Sequence, residues 1–178
     1  MKIDFKNCTE EELWKYIATE LFRNEIDVIL VGGAVVSIYS EGAYRSGDLD
    51  FVKHDFTRDK LNEVLIDQLG FKKEGRHYKH PECSHLYLEF ATFPASIGED
   101  YQIKPAEVEN EGQIIKIFTP TDCVRDRLAN YAFFHAVECL DQSVLVAKKH
   151  PIDFKKVKAW CENEKINQAF IDLKEALK

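Results

Sequence analysis

The stretch "VILVGGAVVSIYSEGAYRSGDLDFV", Val28 to Val52, decides the reading of this chain. Its opening "DVILV" is a short β-branched strand stopped by Gly32 and Gly33, and "AVVSIYS" reads as a short helix that begins at the glycines. "DLDFV" is a second strand, and alternation along it puts Leu49 and Phe51 on one face and Asp48 and Asp50 on the other. A core strand has no use for charge. A buried carboxylate without a proton, a partner or a cation costs several kcal/mol or more.

A strand that ends in two glycines and turns into a helix lets backbone come close to a ligand and leaves free N–H groups for phosphate. The same pattern taken alone is also that of an ordinary tight turn. The two aspartates add to it, since side chains two apart on a strand share a face roughly 6–7 Å apart. Carboxylates so placed repel unless cations lie between them, and magnesium, held by one or two carboxylates with waters and phosphate oxygens, suits them. A solvated acidic edge strand is the other reading of "DLD". Glu89 in "HLYLEFAT" supplies a third acid, on the strand face shared with Tyr87 and Ala91. Paired beside "DLD", that strand would set Glu89 about 5 Å from one aspartate, and three such acids match a two-metal phosphoryl or nucleotidyl transfer site.

Outward from this centre, Thr9 and Glu12 form a capping-box signature ahead of a helix with Leu13, Tyr16, Ile17, Leu21 and Phe22 on one face. Arg58 to Leu69 is predicted helical and stops at Gly70. "KKEGRHYKHPECS" reads as a polar hairpin or loop, and "AEVENEGQIIKIFT" as two strands joined by a Glu-Gly turn. From Thr119-Pro120 onward four segments carry helical periodicity. The expected fold is α/β (α+β): a mixed sheet flanked by helices over residues 1–118, then a helical segment, 119–178, packed on it.

These residues resemble the nucleotidyltransferase superfamily with the DNA polymerase β-like catalytic fold. Its pattern is Gly-Gly or Gly-Ser after a strand, a helix, Asp-x-Asp on the next strand and an acid on a third. The resemblance is nearest to small bacterial members of the abortive-infection and toxin–antitoxin kind, with Arg45 and Ser46 ahead of "DLDF" and Asp126-Arg127-Leu128 where relatives carry Asp-Lys-Leu. It implies that Gly32 and Gly33 hold the nucleotide's phosphates, with Arg45, Ser46 and Arg127 assisting. It also implies that Asp48 and Asp50 ligate Mg2+, and that Glu89 completes the site as ligand or base. The chain departs from the pattern twice: the second glycine replaces a common serine, and the third acid is Glu rather than Asp.

The implied reaction moves a nucleoside monophosphate from an NTP to a hydroxyl of an acceptor, with RNA and protein as the acceptor classes open to it. A nucleotide-binding partner without turnover is the alternative. Arg127 also reads as a surface ion pair with Asp126 or Glu138, and Lys72 to His80 as either a basic rim or a solvated hairpin. Tyr131 lies one turn beyond Arg127 and is a candidate for base stacking, while His54 and His85 read as structural. Along the sequence, no HxxxH or His-Cys spacing reads as a zinc motif, and five scattered cysteines read as reduced thiols of a cytoplasmic protein. A net charge of −7 disfavours wrapping a long nucleic-acid backbone. No apolar run approaches membrane-spanning length.

Overall fold

The computed structural model describes residues 3–53, 58–92 and 95–178, and β1 (Val28–Val31) lies near the middle of its sheet. Three of the four β1 residues are buried, as a strand covered on both faces requires. On one side β1 pairs antiparallel with β2 (Asp48–Lys53), and β2 pairs parallel with β5 (Tyr87–Thr92). β5 in turn meets the hairpin of β3 (Lys72–Glu74) and β4 (His77–Lys79). On its other side β1 pairs parallel with β7 (Gln113–Ile117), which forms a hairpin with β6 (Ala106–Asn110). The order β3-β4-β5-β2-β1-β7-β6 makes a seven-stranded mixed sheet among the described residues.

α1 (Glu10–Arg23) begins with the expected capping box. Glu12 N–H donates to Thr9 Oγ1 (3.2 Å), and Thr9 N–H donates to the Glu12 carboxylate (2.8 Å). Its buried face is turned from the expected stripe toward Trp14 and Ala18, and Phe22 is exposed. The indole carries a large apolar surface, whereas Tyr16 stays at the margin, edge-on to Phe5. α2 (Gly33–Tyr39) links β1 to β2 and is anchored by Tyr39, whose hydroxyl donates to the Phe118 carbonyl at 2.7 Å.

The segment expected as one helix from Arg58 to Leu69 divides into α3 (Arg58–Asn62) and a wide π-helical turn, Glu63–Gln68, closed by Leu69 N–H on Val64 O (3.0 Å). Leu61, Val64 and Leu65 are nonetheless buried, and Gly70 follows at φ 76°.

The chain beyond Thr119 forms α4 (Pro120–Phe134), α5 (Glu138–Lys149), α6 (Phe154–Asn163) and α7 (Asn167–Ala176). Thr119 caps α4, with Pro120 in the first turn where no N–H is missed, and Asp153 caps α6. α5 leans on α2 and α4, and one apolar cluster runs from Leu13, Val35 and Phe51 to Leu128, Val146 and Trp160. Trp160 Nε1 donates to Ile97 O at 3.1 Å. Among the described residues no helix is long and apolar enough to cross a membrane.

Candidate active site

The register of the sheet gathers the acids. Val31 is opposite Asp50 across β1 and β2, so Asp50 stands beside the turn into α2. Gly32 occupies that turn at φ 75°, ψ −152°, a conformation open essentially to glycine. A Cβ at Gly32 would fall on Asp50 Oδ2, and one at Gly33 would come within 2.9 Å of Ser46 Oγ. The two glycines therefore permit two close approaches. One is to an acid, and the other is to the serine that holds the next acid.

Asp48 is held on both oxygens by neutral donors. Ser46 Oγ donates to Oδ1 (2.9 Å), and the Tyr87 hydroxyl donates to Oδ2 (3.3 Å). Asp50 is different: burial, followed by the charges of Asp48 and Glu89, pushes its pKa up to about 7, against the pull of Arg127. Among the described residues none donates a hydrogen bond to the Asp50 carboxylate, although its backbone is paired in the sheet. Glu89 is its direct partner across β2 and β5.

On its other side Glu89 faces His77 of β4. His77 Nε2 lies 2.7 Å from Glu89 Oε1, and Arg76 Nε lies 3.2 Å from Oε2. The basic hairpin thus turns Arg76 and His77 toward the acids, while Lys79 and Lys73 are engaged elsewhere. Lys79 pairs with Glu74 (2.6 Å), and Lys73 lies over the Tyr78 ring (5.0 Å).

Asp50 and Glu89 line a cavity of about 400 Å3 together with Gly32, Arg76, Asp126 and Arg127. Arg127 is set on α4 as a half-buried ion pair rather than a surface one: Nη2 is 2.5 Å and Nε 3.1 Å from Asp126 Oδ2, and Nη1 reaches Gln142 Oε1 at 3.4 Å. Arg45 is turned elsewhere. Its exposed guanidinium meets the buried Glu10 (Nε to Oε1, 3.1 Å), which also accepts the Ser46 N–H at 2.9 Å. Arg45 lines a separate hollow with Glu11 and Gly42. Tyr131 also lies outside the acid cavity: its hydroxyl donates to Asp172 Oδ2 (2.9 Å), and it lines an apolar cavity with His135 and Ile166. His54 lies outside the described residues.

The roles of Tyr87 and His77 were not assigned from sequence. Tyr87 had a signal, since it shares the strand face of Glu89. Glu10, which grips Ser46 and Arg45 from α1, had none, because nothing local links residue 10 to residue 46.

No family model matches this chain, and no curated protein matches it. Solved structures do. An antigenic nucleotidyltransferase-like protein from Paracoccidioides brasiliensis superposes with a TM-score of 0.63 at 18% identity, over 93% of this chain and 92% of that one. The antibiotic-resistance factor ANT(2'')-Ia in solution gives 0.52 at 14%, over 93% and 92%. ANT(2'')-Ia in complex with adenylyl-2''-tobramycin gives 0.53 at 13%, over 95% and 98%. The chain has a nucleotidyltransferase fold, as its glycines and acids implied.

Proposed function

We propose that this protein transfers a nucleoside monophosphate from a nucleoside triphosphate to a hydroxyl of its acceptor, using magnesium held by Asp48 and Asp50, with Glu89 as the base for that hydroxyl. The observation that carries the reading is Asp50: a carboxylate raised to about 7 by burial and by two like charges, with the close-approach glycine Gly32 against it. Such a group is a cation site by its charge balance, and hard carboxylate oxygens suit Mg2+. When bound, magnesium supplies charge neutralisation for the phosphates and the leaving pyrophosphate and lowers the pKa of the attacking hydroxyl.

The chain's own residues do the rest. Gly32 and Gly33 let the triphosphate lie against backbone. Ser46 and Tyr87 orient the Asp48 carboxylate by bonding both its oxygens. Arg127 is set to take phosphate oxygens in place of part of its contact with Asp126, as a guanidinium fork does well. The acceptor oxygen attacks the α-phosphorus, the bond to the β-phosphate oxygen breaks, and pyrophosphate leaves. The hydroxyl proton passes to Glu89, whose Oε1 is already paired with His77. A cavity of about 400 Å3 is in the size range of small-molecule sites. A small hydroxyl-bearing acceptor accords with it better than a long polymer. A pocket that binds nucleotide without turnover is the second reading, and the engagement of Glu89 by Arg76 and His77 is what favours it.

Calorimetric titration of ATP, GTP, CTP and UTP, with and without magnesium, tests the site. Binding that needs magnesium and is lost in Asp48→Asn and Asp50→Asn is the expected result. Equal binding by wild type and both variants would refute the assignment. Release of pyrophosphate in the presence of hydroxyl acceptors separates transferase from binding module.

A further inference from the structure

Three metal-competent side chains meet away from the carboxylates. Cys8 precedes the Thr9 cap of α1, and Cys83 and His85 lie in the connection between β4 and β5. Their ligand atoms lie within 4.8 Å of one another, with both thiols buried and His85 exposed. One edge of the imidazole is already committed. His85 Nε2 stands 2.8 Å from the carbonyl oxygen of Cys8. A carbonyl has no proton to give, so in the neutral ring Nε2 carries the hydrogen and donates it. Nδ1 is then left with its lone pair, 3.8 Å from Cys83 Sγ. Metal-binding histidines take this orientation, one nitrogen free for the ion and the other donating to a backbone carbonyl.

We propose that Cys8, Cys83 and His85 form a zinc site, with two thiolates and the His85 Nδ1 as ligands and water as the fourth on the exposed side. Zinc–sulfur and zinc–nitrogen bonds of about 2.3 and 2.1 Å in a tetrahedron put ligand atoms roughly 3.5–3.8 Å apart. Cys83 and His85 already stand at that separation. Binding releases one proton from each thiol, so the two thiolates balance the dication and no net charge is left buried. The ion ties the start of α1 to the head of β5, the strand that carries Tyr87 and Glu89. The proposal is independent of nucleotide chemistry at the acids.

The test uses the full chain, reduced and freed of metal with a chelator. Zn2+ is titrated against a chromogenic competitor, and Co2+ is titrated separately to read thiolate-to-cobalt charge-transfer absorption. One zinc per chain, a charge-transfer band, and at least about tenfold weaker zinc binding in His85→Gln are expected. His85 is exposed, so His85→Gln keeps the fold, which circular dichroism verifies. Cys83→Ser should remove most of the band. No stoichiometric zinc, or equal affinity in His85→Gln, would overturn the site. So would a Cys8–Cys83 disulfide in the protein as isolated, before any reductant is added, seen as the loss of two titratable thiols and two hydrogens of mass.

Discussion

Two of the buried charge clusters among the described residues are built in opposite ways. On α4, Arg125 is 1% exposed and reaches Asp122 Oδ1 (2.8 Å) with one arm and Asp100 with the other. Its Cζ lies 5.2 Å from the Trp160 ring centroid, and Lys156 Nζ adds a second cation at 2.8 Å from Asp122. The hydrogen bond from Arg125 holds the Asp100 carboxyl below its ordinary range. At the sheet centre, Asp50 faces two carboxylates and is pushed up to about 7. The first cluster is closed: each acid has its cation. The second is open by charge, so a dication and a phosphate chain can complete it. Buried charge is therefore no mark of function by itself. The unbalanced remainder is.

Mutating the clusters alike should give opposite signs, and this is the largest expected effect. Arg125→Met leaves buried Asp122 with Lys156 alone and should cost about 3–5 kcal/mol in urea unfolding. Asp50→Asn, measured without magnesium near pH 8, should leave the midpoint equal or higher, because it removes a repelled charge. A loss of several kcal/mol in Asp50→Asn would mean that the acids are part of the scaffold.

A pH series sharpens the same contrast. The folded-state pKa of Asp50 is about 7 against an ordinary 3.8, so between these values the folded chain holds the extra proton. Stability from this group is therefore highest at low pH, falls as pH rises from about 4 to about 7, and levels above. Thermal melts without magnesium should show that slope, and Asp50→Asn should remove its share. Parallel slopes in the two proteins would contradict the raised pKa. Added magnesium should stabilise wild type more near pH 8 than near pH 5, because it competes with the proton.

The smallest effect concerns the side chains paired with Glu89. His77→Gln leaves Arg76 as the partner, and the pair is partly exposed. We expect magnesium-nucleotide affinity to rise about twofold to fivefold as one competing donor goes. A fall in affinity, read by calorimetry, would show that His77 helps to hold the site.

What local rules govern was legible in the chain itself. Period-two alternation put Asp48 and Asp50 on one face of a strand, and a Gly-Gly stop marked the close approach. Thr9 with Glu12, and Thr119 with Pro120, located the helix starts. These are decided by covalent geometry and neighbours a few residues away. The tertiary structure alone decided which strands adjoin: Glu89 opposite Asp50, His77 opposite Glu89, Arg45 turned to Glu10, and Arg125 closed inside its pair of acids. Cys8 beside Cys83 and His85 belongs to the same group, since no spacing rule reaches across α1 and half the sheet. Contacts between distant segments depend on the packing of the whole chain, and a side chain's partner is set there rather than by its own neighbours.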